Sequence, residues 1–132
     1  MDQKKAHTKL RINAFPKEER LNSKKTIALL FQKGKSFFNP PLATKYLPQN
    51  EDLGHHQILI SVPKKKIKKA YQRNLIKRRI REAYRQNKWQ FDFQRHWLIA
   101  YIYSSTEVLS YREIEDKLKE SLLRLSRIEE KS

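Results

Sequence analysis

Apolar positions along the chain fall into phased runs separated by polar or proline-rich joints. Ile27, Leu30 and Phe31 recur at helical spacing after Leu21 and a capping residue at Asn22 or Ser23. This predicts a helix over about 23–33, with Gly34 at its C-terminal end as a residue tolerant of φ > 0. Ser36, Phe37, Phe38 and Asn39 open an extended segment that Pro40 and Pro41 assign to an edge or a strand start. Leu42, Thr44 and Tyr46 then alternate with Ala43, Lys45 and Leu47. After a polar turn over 48–54, Ile58, Ile60 and Val62 alternate with Gln57, Leu59 and Ser61. Both are strand patterns.

From about Lys69 the period changes to that of a helix ending near 86–88. Ile76, Ile80 and Ala83 form one narrow stripe, with Tyr84 at its edge. Trp97–Tyr103 is apolar on both parities, which predicts a well-buried strand. Ser110 with Glu113 has the form of a capping box. Ile114, Leu118, Ser121, Leu122 and Leu125 follow as the stripe of a helix over about 111–127. The order helix, two or three strands, basic helix, strand, helix predicts an α+β fold, a single mixed sheet with helices packed on it. Residues 1–14 read as a flexible basic arm, 15–127 as the folded domain and 128–132 as a polar tail.

Charge changes the picture at the basic helix. The chain carries a net +16, and the stretch Pro63–Lys88 holds twelve Lys or Arg against the single acid Glu82. Arg73, Lys77 and Arg81 repeat every four residues along one flank, while Asn74, Arg78, Arg81 and Arg85 cover the side opposite the apolar stripe. Like charges at these spacings cost roughly 0.2–0.5 kcal/mol per pair in isolation, so the pattern calls for a polyanion. Together with Lys64, Lys65 and Lys66 at the helix approach, these residues are the candidate contacts to a nucleic acid, which 15–127 is expected to bind. Glu82 is expected to pair with Arg78 or Arg85.

Other chemistries find little support. There is no Cys for a disulfide or thiolate site. No apolar run approaches the ~20 residues of a membrane span, and a basic helix backed only by Ile and Ala is a poor membrane-surface element. These features suit a cytoplasmic protein. No carboxylate cluster suits two-metal hydrolysis, and His7, His55, His56 and His96 form no ligand triad. Neither a catalytic residue nor a metal ligand is therefore expected, and no apolar pattern demands a partner protein.

The run Ser61-Val62-Pro63-Lys64-Lys65, followed by Arg73-Asn74-Leu75-Ile76-Lys77-Arg78-Arg79-Ile80-Arg81-Glu82-Ala83-Tyr84, resembles the signature of the protein subunit of bacterial ribonuclease P. Arg20-Leu21, Phe31, Gly34 and the strand–helix pair from Trp97 to Leu125 extend the resemblance over about 15–125. Two positions depart from the family pattern. Leu75 stands where the second arginine of Arg-Asn-Arg is usual, and Ile27 replaces the earlier of two aromatics on the first helix.

The resemblance implies a fold like the second domain of ribosomal protein S5, with a left-handed βαβ crossover containing the basic helix. It implies that 15–127 is an RNA-binding domain with a partner RNA, the ribonuclease P RNA, that performs Mg²⁺-dependent hydrolysis of precursor tRNA to leave the mature 5′ end. The Mg²⁺ is held mainly by that RNA and the substrate. The single-stranded 5′ leader is implied to lie in a cleft between the first helix and the sheet. Phe15, Phe31, Phe37, Phe38 and Tyr46 are the aromatic candidates to line it, and the family's cleft tyrosine falls near Lys45 or Tyr46. The competing expectation is a ribosomal or general RNA-binding protein of similar fold with no part in cleavage.

Overall fold

Strand β4 (Trp97–Tyr103) sets the layering. Its alternate side chains bury against different helices: Trp97, Ile99, Tyr101 and Tyr103 belong to one core, and Leu98 and Ala100 to another. Period-2 alternation sends neighbouring side chains to opposite faces, so a strand apolar on both parities needs cover on both. The computed structural model describes residues 15–131. The N-terminal arm expected at 1–14 therefore lies outside the described residues.

After a 3₁₀ turn at Lys17–Glu19 come helix α1 (Lys24–Lys33), strands β1 (Lys35–Asn39), β2 (Leu42–Pro48) and β3 (Gln57–Ser61), and helix α2 (Ala70–Asn87). A second 3₁₀ turn (Lys88–Gln90), β4 and helix α3 (Tyr111–Lys131) complete the chain. The sheet order is β1-β2-β4-β3. β1, β2 and β4 pair antiparallel, whereas β3 pairs parallel with β4, which makes α2 the crossover of a β3–α2–β4 unit. This is the α+β arrangement the periodicities predict, a single mixed sheet with packed helices.

The helices α2 and α3 cover one face of the sheet. Ile76, Ile80, Ala83 and Tyr84 of α2 and Ile114, Leu118, Leu122 and Leu125 of α3 join Leu42, Ile58, Ile99, Tyr101 and Tyr103 in the larger core. Inside it the Thr44 and Ser121 hydroxyls satisfy each other at 3.0 Å. On the opposite face α1 brings Leu30, with Ile27 beside it, onto Leu98, Ala100, Leu47 and Leu59.

Local signals account for the element ends. Ser23 Oγ accepts from the Thr26 N–H at the start of α1. The Ser110–Glu113 capping box forms in full, since the Ser110 N–H and hydroxyl both donate to Glu113 Oε2 and the Glu113 N–H donates to Ser110 Oγ.

Two expectations are corrected. Gly34 has φ −69°, ordinary extended backbone. Its reason is space: a Cβ there would meet the Leu30 carbonyl oxygen at 2.3 Å and the Tyr46 carbonyl oxygen at 3.2 Å. The segment expected as a polar tail after Arg127 continues α3 to Lys131. Ile128 prolongs the apolar stripe, and the Glu129 carboxylate accepts from the Gln94 and Arg95 N–H groups and from Trp97 Nε1.

Candidate nucleic-acid interface

The approach to α2 is pinned rather than loose. Ile67 is buried at 2 % exposure, and the Lys66 and Ile67 N–H groups donate to the Pro63 carbonyl. The resulting turn leaves Lys64, Lys65 and Lys66 exposed. No side chain caps α2 at Lys69. Arg73 reaches back from the first turn instead and donates to the carbonyls of Ile67 and Lys68 at 3.0 and 2.7 Å.

Beyond Arg73 the cations divide by what they touch. Arg79 donates to the Leu109 carbonyl and so ties α2 to the segment entering α3. Arg85 Nε donates to Glu82 Oε2 at 2.9 Å, a second guanidinium nitrogen donates to Glu82 Oε1, and Gln86 adds a further bond. Those bonds hold the Glu82 carboxyl down to about 2. Asn74 and Arg78 are exposed and Lys77 and Arg81 half-buried, and none of the four is hydrogen-bonded or ion-paired through its side chain to another described residue.

Arg81 has the most demanding surroundings. Its pKa is lowered first by burial, then by the positive charges of Arg20 and Arg78. Arg20 arrives from outside the helix: it forms a parallel bridge to Ile58 at the sheet edge, where the Leu21 N–H donates to the Ile58 carbonyl at 2.8 Å. Three guanidinium groups thus share one region with no carboxylate in ion-pair reach among the described residues. Such a cluster lowers its own energy by taking up an anion.

The second feature lies on the α1 face. α1 covers only part of the sheet, and the row Phe38–Ala43–Ile102–Ser61, registered across all four strands, lies outside the core that α1 seals. Phe38 is 54 % and Phe31 39 % exposed. Lys45, on the same face, donates to the Phe31 carbonyl at 2.9 Å with its ammonium 5.4 Å from the Phe31 ring centre. The uncovered part of this face carries the exposed Phe38 ring, with Lys45 on the same face reaching back to the exposed Phe31 of α1. Its sheet row ends at Ser61, three residues before Lys64.

The family described as Ribonuclease P matches residues 15–126. The chain belongs to the ribonuclease P protein family. It is 34 % identical over 116 residues to the ribonuclease P protein component of Porphyromonas gingivalis, covering 83 % of this chain and 85 % of that one. The Picosynechococcus component is 38 % identical over 109 residues, 83 % and 91 % of the two chains. Among solved structures, the Staphylococcus aureus protein superposes with a TM-score of 0.68 at 25 % identity, over 84 % of this chain and 97 % of that one. The Thermotoga maritima protein gives 0.68 at 27 % identity, over 80 % and 96 %. As a ribonuclease P protein the chain is the accessory subunit of an enzyme whose RNA is the catalyst.

Of the aromatic candidates for the ribonuclease P leader cleft, the structure leaves Phe31 and Phe38 exposed on the α1 side of the sheet and places three elsewhere. Phe37 and Tyr46, each 8 % exposed, point to the opposite face, where Tyr46 packs between Phe37 and Trp97 and the Arg124 guanidinium covers Phe37. Phe15 also belongs to the α2 side, edge-on to Tyr84 and under Arg20. By parity Lys45 shares the α1 face with Phe38, whereas Tyr46 is turned to the other face. Arg20 was missed as a member of the basic cluster, because only strand pairing brings it near Arg81. The alternation Ala43, Lys45, Leu47 already carried the signal for Lys45. Among the described residues no group of three or more His, Asp or Glu is placed to hold a metal ion.

Proposed function

We propose that the chain binds ribonuclease P RNA through the exposed face of α2 and steadies the single-stranded 5′ leader of precursor tRNA in the α1–sheet cleft. The observation that carries this reading is the Arg20–Arg78–Arg81 cluster, in which a half-buried Arg81 lies near two exposed arginines with no carboxylate partner among the described residues. Asn74, Lys77 and Lys64–Lys66 extend the cationic surface, and Arg85 contributes through the geometry Glu82 imposes on it. Arg73 serves chiefly by holding the turn that presents those lysines.

Contacts of this kind neutralise phosphate without reading sequence, which suits a subunit that must accept many precursor tRNAs. Phe31 and Phe38 can stack bases of any identity. Mg²⁺ belongs to the RNA and the substrate in this reading, and the work is cytoplasmic, where precursor tRNA is processed. Among the described residues no helix is long and apolar enough to cross a membrane.

Reconstitution tests the proposal. The chain is mixed with ribonuclease P RNA and precursor tRNA at low Mg²⁺, and 5′ cleavage is compared with either component alone. Stimulation in the mixture, with tighter binding of leader-bearing tRNA than of mature tRNA, is the expected result. Absence of any leader preference would favour a general RNA-binding role of the same fold.

A further inference from the structure

A cavity of about 250 Å³ lies on the α2 side of the sheet, across it from the cleft. It is bounded by the end of α2, the turn that follows and the segment entering β3. Tyr84, Trp89, Phe91, Phe93, His56 and His96 are among its walls. Trp89 is 57 % exposed, a large ring at the mouth of the cavity just after the most basic element of the chain.

His56 gives the cavity a fixed polar group. It is 8 % exposed, and its Nδ1 accepts from the Trp97 N–H at 2.9 Å, which puts the ring proton on Nε2. Burial depresses its pKa to about 3, so the ring is neutral at physiological pH. The Nε2–H has no hydrogen-bond acceptor among the described residues. The rings of Phe93 and His96 meet His56 edge-on at 4.7 and 5.3 Å and hold its orientation.

The charges around the cavity favour a ring over a phosphate inside it. Both Glu19 oxygens accept from Lys88, whose ammonium lies 5.4 Å from the Trp89 ring centre. Asp92 stands in the lining, and Asp52 is bonded to His96 at 2.6 Å. An anion pressed inward would meet carboxylates, whereas a planar heterocycle meets aromatic walls and one donor. RNA supplies such rings wherever a base is unstacked from its strand.

We propose that this cavity takes one unstacked nucleobase of a bound RNA, its ring against Trp89, Phe91 and Phe93 and an acceptor on its edge toward His56 Nε2–H. The RNA is either the ribonuclease P RNA or the precursor tRNA. The proposal rests on the reading that α2 faces RNA, because Lys88 closes the basic run that would bring the strand to the cavity.

The test uses the whole chain carrying Phe31→Ala and Phe38→Ala, which removes stacking in the cleft. A labelled single-stranded oligoribonucleotide and its abasic counterpart of equal charge are titrated by anisotropy, and tryptophan fluorescence is followed in parallel. Trp97 is buried at 3 % exposure, so quenching reports Trp89. The base-bearing probe should quench and should bind about 5- to 150-fold tighter than the abasic one. Trp89→Ala and, separately, Phe93→Leu should each erase that preference and leave abasic affinity unchanged. Equal affinities for the two probes, or a preference surviving both substitutions, overturns the proposal.

Titrating ribonuclease P RNA and precursor tRNA separately assigns the source, and quenching by neither also overturns it. Loss of the base preference with 5′-cleavage stimulation intact strikes this cavity alone. The reverse result strikes the functional reading alone.

Discussion

Phe37 and Phe38 are neighbours in β1 and lie on opposite faces of the sheet, Phe37 at 8 % exposure beneath Arg124 and Phe38 at 54 % in the open cleft. The two substitutions to alanine should therefore separate stability from binding. Phe37→Ala should cost about 3–5 kcal/mol of folding free energy. Phe38→Ala should stay within about 0.5 kcal/mol of the parent and weaken leader binding by about 1–3 kcal/mol. Denaturant unfolding and leader titration read the two effects, and an exchange of roles between the residues would invert the assignment of faces.

Arg81 is repelled by both Arg20 and Arg78 in the free chain. Replacing Arg78 and Arg81 by Ala should leave the melting temperature unchanged or slightly raised. The slope of log affinity for RNA against log salt should flatten by roughly one unit per lost phosphate contact. A salt slope equal to the parent's would place this surface away from RNA.

Arg73 has two backbone acceptors, the carbonyls of Ile67 and Lys68. Arg73→Ala should lower stability by about 1.5–3 kcal/mol, the range for hydrogen bonds to a charged group, whereas the exposed Asn74→Ala should leave it nearly unchanged. Thermal melts of the two variants check this. Equal melting temperatures would mean the turn holds itself.

Gly34 is required for space, not for a left-handed backbone. Gly34→Asn, benign at a φ > 0 position, should destabilise like Gly34→Ala, by about 1–3 kcal/mol from overpacking against Leu30 and Tyr46. Tolerance of Asn with loss on Ala would restore the conformational explanation.

His56 makes acid sensitivity begin early. Its native pKa is about 3 against an ordinary 6.5, with burial the first cause. Between those values the unfolded chain binds a proton that the native state refuses, so stability falls as pH drops from 6.5 toward 3. The expected slope approaches about 1.4 kcal/mol per pH unit. The depressed carboxylates Glu82, Asp52 and Glu113 add their loss only below their ordinary range near 4. Unfolding titrations at pH 6.5 and 5 should show the decline in the parent and a flatter response in His56→Asn.

Local pattern was sufficient for most of what depends on neighbours along the chain, the backbone of Gly34 and the last turn of α3 excepted. The stripe of Ile76, Ile80 and Ala83 and the Ser110–Glu113 cap each encode an element through period or a bond spanning three residues, and the concentration of cations on one helix is visible as composition alone. Three-dimensional placement decided what depends on residues far apart. The strand bridge at Ile58 carries Arg20 to Arg81, α3 claims the face bearing Phe37 and Tyr46, and α1 leaves Phe38 and Lys45 uncovered. A strand alternates in the same way whichever of its faces becomes the core. The choice belongs to the helices that dock on it, and long-range packing selects them.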